Sequence, residues 1–77
     1  MITNHTEQLR QIGLNIAYCR KLRGLTQLQL AERTGLSRTH ISNLEASNMR
    51  TSLSIGTLLT IAEALDIPPA KLFEFFG

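Results

Sequence analysis

The tightest constraint on what this chain can fold into is a set of spaced residues: Ala31, Gly35, Ile41 and Leu44, with Ser37 between them. Two short helices packed steeply across a tight turn need a small residue on the inner face of the first, and Ala31 supplies it. The turn needs a residue at ease with positive φ, and Gly35 stands four positions later. The second helix needs apolar anchors. Leu36, Ile41 and Leu44 serve, the last two spaced to share one face. Ser37 is placed to cap that helix. With the inner face pinned, Arg38, Thr39, Ser42 and Asn43 fall outward. An αα unit of this kind, over residues 26–46, turns its free polar face to the DNA major groove.

Apolar periodicity organises the rest of the chain as helix, and no useful β-alternation is present. A first helix is expected from about Thr6 to Leu22, with Leu9, Ile12, Ile16 and Cys19 as its buried stripe and Gly24 beyond its end. Thr26 caps a second helix that carries Leu30 and Ala31 inward and ends near Thr34. The third runs from Ser37 to about Ala46. Residues Ser47–Leu53 are polar and read as a loop. Ser54 or Ser52 caps a fourth helix with the stripe Leu58, Ile61, Ala62 and Leu65. Proline favours a first helical turn, so a short fifth helix is expected from Pro69 to Phe76. The fold class is all-α, five helices in a single domain, 1–77. At 77 residues the core is near the lower limit of self-sufficiency, and dimerisation is a natural supplement.

Charge is unevenly spread. Arg10, Arg20, Lys21, Arg23, Arg33, Arg38 and Arg50 face only Glu7, Glu32 and Glu45 in residues 1–50. Lys71 faces Glu63, Asp66 and Glu74 in the remainder. A basic front and an acidic back suit a protein that meets a polyanion. The lone Cys19 cannot form an intrachain disulfide, and a reduced, cytoplasmic setting is expected. No signal peptide or membrane-spanning run is visible. Cys19, His5 and His40 lack zinc-ligand spacing, and neither a phosphate-cradling glycine loop nor HExxH occurs. Ser37 and His40 are better explained by capping and by surface position than by catalysis. No enzyme activity, metal, cofactor or small-molecule ligand is expected.

Gly24-Leu-Thr-Gln-Leu-Gln-Leu-Ala31, Thr34-Gly-Leu-Ser37 and Ile41-Ser-Asn-Leu-Glu45 together resemble the lambda-repressor-like (Cro/CI, Xre) helix-turn-helix family. So do Thr57-Leu-Leu-Thr-Ile-Ala-Glu-Ala-Leu65 and Leu72-Phe73. The resemblance covers roughly residues 9–76 and extends to restriction–modification controller proteins. It implies a five-helix fold, operator DNA as partner and a homodimer on a pseudo-palindromic site. It also implies a phosphate contact at Gln27 and a partly buried ion pair between Arg20 and Glu45. The chain departs from the family pattern in Ala46–Gly56, which is about two residues longer.

Within this frame Arg38 is assigned to guanine O6 and N7, which its fork matches. Thr39 and Asn43 are assigned to base edges, although the same atoms can hold a phosphate. Thr26 and Gln27, at a helix N-terminus, are assigned to phosphates with Ser37, Ser42, Asn48 and Arg50. Arg23 serves either a phosphate or solubility, and His40 covers a helix edge. Phe73 is expected to close the core, with Leu72, Phe75 and Phe76 at a dimer interface. The alternative is a protein-interaction module, such as an antitoxin-like partner. Leu28, expected near the surface of the second helix, favours it, and the polar face at Arg38-Thr39 opposes it.

Overall fold

The computed structural model describes residues 5–46 and 53–74. Helix α1 spans Thr6–Leu22, α2 Gln27–Thr34, α3 Arg38–Glu45 and α4 Ile55–Ala64. A 3-10 helix, Pro69–Phe73, follows. The expected stripes are the ones buried. Ile12 and Ile16 come from α1, Leu30 and Ala31 from α2, Ile41 and Leu44 from α3. Leu58, Ile61 and Ala62 come from α4, with Leu65 just beyond it. Leu9, Cys19 and Leu36 pack at the edge of this core. Burial raises the Cys19 thiol above its ordinary value. Each fully buried side chain contributes about 1.5–3 kcal/mol relative to exposure.

The helices are ordered by their ends. Thr26 Oγ1 accepts from Gln29 N at 3.0 Å, while Gln29 Oε1 accepts from Thr26 N at 2.8 Å. This reciprocal capping box fixes where α2 begins. Gly35, at φ 77°, ends α2 and donates its N–H to Ala31 O at 2.9 Å. Ser37 Oγ then accepts from His40 N at 3.0 Å and starts α3. Ser54 caps α4 in the same way, accepting from Thr57 N at 3.1 Å.

Two helices stop by the same turn. After α1, Leu25 N donates to Arg20 O and Gly24 N to Lys21 O, with Gly24 at φ 70°. After α4, Ile67 N donates to Ala62 O and Asp66 N to Glu63 O, with Asp66 at φ 56°. Both are Schellman turns, in which the residue after the left-handed one packs inward. That placement buries Leu25, which the periodicity alone did not reveal, and half-buries Ile67.

The C-terminal end corrects two expectations. The fifth α-helix is not formed: the described residues hold four α-helices and one 3-10 helix. Its bonds run from Lys71 N to Pro68 O and from Glu74 N to Lys71 O. The Asn15 amide donates to Leu72 O at 3.0 Å and to Glu74 O at 2.9 Å, which engages carbonyls that a continuing helix would use. A 3-10 helix turns about 120° per residue rather than about 100°, which changes the residue facing inward. Leu72, expected at a dimer interface, is therefore fully buried in the core of the single chain. Phe73, expected to close the core, is 45% exposed. Phe75 and Phe76 lie outside the described residues.

Candidate nucleic-acid interface

Helix α3 has two unlike faces. Ile41 and Leu44 have no exposed surface and anchor it against α1 and α2. Arg38, Thr39 and Asn43 are all exposed, on the N-terminal and outer side, and Ser42 is half-buried beside them. The three residues assigned to base edges thus share one open polar surface. Ser37 and Thr26 are exposed at the two helix N-termini, and Gln27 is half-buried at the first position of α2. His40 is half-buried. Asn48 and Arg50 lie outside the described residues.

The angle between α2 and α3 is held from inside the turn. Thr34 Oγ1 donates back to the carbonyls of Leu30 and Ala31, at 2.9 and 3.1 Å, and accepts from Leu36 N at 3.2 Å. One hydroxyl thereby ties the last turn of α2 to the loop that leads into α3. The sequence signal was present, since a Thr directly before a turn glycine is suited to such local bonding.

Beneath the surface lies a charged pair. Arg20 Nε donates to Glu45 Oε2 at 2.7 Å, and Nη2 to Glu45 Oε1 at 2.9 Å. Nη1 donates to Leu25 O at 2.7 Å. Both residues are buried, and the pair locks the end of α3 to α1. The ion pair implied by the family resemblance is present. Glu45 Oε1 also accepts from Gln27 Nε2 at 3.1 Å, a link that sequence reasoning missed.

The basic front is smaller than the residue count suggests. Arg20 is turned inward, and Arg23 donates to Leu65 O at 2.7 Å and Asp66 O at 2.8 Å, at the end of α4. Arg23 thus clasps the end of α4 while its side chain stays exposed. Arg10 is engaged by Glu7 at 2.6 Å, and that hydrogen bond holds the Glu7 carboxyl below its ordinary value. Lys21, Arg33 and Arg38 are the other exposed basic residues of residues 5–46. Among the described residues no group of three or more His, Cys, Asp or Glu could hold a metal ion. None of the described helices is long and apolar enough to cross a membrane.

This architecture can be compared with known proteins. A family model described as helix-turn-helix matches residues 16–72, which runs from α1 to the 3-10 helix. The chain belongs to this family, in its Xre and Cro/CI-like branch of DNA-binding transcriptional regulators. It is similar to the immunity repressor protein of Bacillus phage phi105, with 45% identity over 56 residues. That match covers 73% of this chain and 38% of the repressor, so the chain spans well under half of that relative's length. It is 40% identical over 63 residues to the control protein C.SmaI of Serratia marcescens, covering 82% of this chain and 73% of that one. Among solved structures, the restriction-modification controller protein C.AhdI from Aeromonas hydrophila matches with a TM-score of 0.78 and 34% identity. The match covers 84% of this chain and 96% of that chain.

Proposed function

We propose that this family member is a sequence-specific transcriptional regulator that occupies a pseudo-palindromic operator as a homodimer. One observation carries the reading: α3 is anchored by Ile41 and Leu44 while Arg38, Thr39 and Asn43 stand exposed together on its open face. A helix held this way can enter the major groove with its polar residues against base edges. Arg38 takes guanine, while Thr39 and Asn43 supply the neighbouring contacts. Thr26, Gln27, Ser37 and Ser42 take phosphates on either side of the groove and fix register. Asn48 and Arg50 extend this set from the α3–α4 connection. The similarity to a phage immunity repressor and to controller proteins supports a regulator of operator occupancy.

The dimer contact is assigned to Phe75 and Phe76, which follow Phe73 in the chain; Phe73 itself is exposed. Binding to a random-sequence duplex, measured by fluorescence anisotropy over a range of salt, is expected to weaken steeply as salt rises. Footprints on a selected site should show two protected half-sites centred about 10 base pairs, or a multiple of that, apart. Salt-independent binding, or a single protected half-site with a monomeric mass in sedimentation equilibrium, would overturn the corresponding part of the reading.

A further inference from the structure

Glu45 does more than pair with Arg20. Its Oε1 is shared between Arg20 Nη2, at 2.9 Å, and Gln27 Nε2, at 3.1 Å. Gln27 is the first residue of α2, and Glu45 is the last residue of α3. A side-chain amide has two N–H donors and one oxygen, and the two ends look alike in shape. What distinguishes them here is the carboxylate. With nitrogen toward Glu45 the contact is a hydrogen bond; with the amide flipped, two oxygens would oppose each other. The carboxylate therefore fixes which way the amide points. One N–H is used inside, and the second has no partner among the described residues. Arg20 matters as well, because its bidentate contact neutralises a carboxylate that would otherwise repel a nearby phosphate.

We propose that Glu45 is a positioning residue for Gln27: its carboxylate, neutralised by Arg20, orients the Gln27 amide so that the second N–H meets a DNA phosphate. This rests on the DNA-binding reading above. Glu45 itself touches no DNA in this arrangement. Because Gln27 is uncharged, its contact releases no counterion, so losing it weakens binding without changing the salt slope. An arginine or lysine contact would lower both.

The test uses two readouts. The first is NMR of the free protein. The Gln27 side-chain amide protons are expected to exchange more slowly than those of the exposed Gln8, and to lose this protection in Arg20→Met/Glu45→Leu. That double variant replaces a buried pair with apolar groups, a change that cores often accept. The second is affinity for a random-sequence duplex. Gln27→Met is expected to bind about 5–10-fold more weakly with an unchanged salt slope, the loss of about one net hydrogen bond. The folded Arg20→Met/Glu45→Leu protein should lose a similar factor, and adding Gln27→Met to it should cost little more. A Gln27 amide that exchanges like Gln8 in the wild type overturns the proposal even if the double variant does not fold. So does a folded double variant that binds like the wild type, or a triple variant whose losses multiply. If the amide is protected but the wild type binds no duplex, the DNA reading fails and the orientation of Gln27 by Glu45 stands.

Discussion

At the starts of α2 and α3, loose backbone N–H groups are taken by Thr26 and Ser37, each reaching a residue three positions ahead. Toward the C-terminus of the chain, the carbonyls of Leu65, Asp66, Leu72 and Glu74 are taken by Arg23 and Asn15, from 42 to 59 residues away. Both arrangements satisfy helix ends, but they do so at different range. The α2–α3 unit carries its own caps and its own turn, so its geometry is set locally. The C-terminal end has no such independence; its shape is imposed by α1. A reading surface benefits from the first arrangement, because the relation of α2 to α3 does not depend on the bonds that shape residues 69–74.

Four tests by substitution bear on that contrast. The largest effect is expected where the local unit meets α1. Arg20→Met strands Glu45 in the core and should cost about 3–5 kcal/mol in urea unfolding, most of which Glu45→Leu should restore. Next, Leu72→Ala should cost about 2–5 kcal/mol, because Leu72 is fully buried, whereas Phe73→Ala should cost clearly less. The reverse order would mean that the C-terminal segment is rotated from the arrangement described. Asn15→Ala removes both long-range bonds and should cost about 1–2 kcal/mol. It should raise amide exchange around residues 69–74 and leave α2 and α3 unchanged. Spread of the effect into α3 would argue against a locally held unit. Smallest is a gain. Asp66 holds φ 56° in the same turn that Gly24 makes at φ 70°, and Asp66 carries negative charge at a helix C-terminus. Asp66→Gly should raise stability by about 0.5–1 kcal/mol, read as a higher Tm.

The same contrast accounts for what could be read from the sequence. Apolar spacing of three and four marked the four α-helices because burial of one stripe is a local signal. Thr26, Gly35 and Ser37 marked the α2–α3 unit because capping and positive φ are also local. Arg38, Thr39 and Asn43 were legible as exposed by elimination, once Ile41 and Leu44 were assigned inward. The C-terminal segment was less legible. Pro69 correctly marked a helical start, but nothing nearby in the chain says that Asn15 will engage Leu72 O and Glu74 O. The inward turn of Leu72 in place of Phe73 follows from that distant contact and from the tighter helix. The contact of Arg23 with Leu65 O and Asp66 O was illegible for a similar reason, since those carbonyls lie 42 and 43 residues away in the chain. The link from Gln27 to Glu45 joins residues 18 positions apart, and only the fold makes them neighbours.

If the open face of α3 discriminates between DNA sequences, selection of bound sites from a random duplex library will reveal it. The wild type is expected to return a pseudo-palindromic motif containing a guanine in each half-site. Arg38→Ala should return the same motif with preference relaxed at that guanine alone, since a bidentate contact is worth about 1–3 kcal/mol of discrimination. An identical motif from both proteins, or no enriched motif from the wild type, would contradict it.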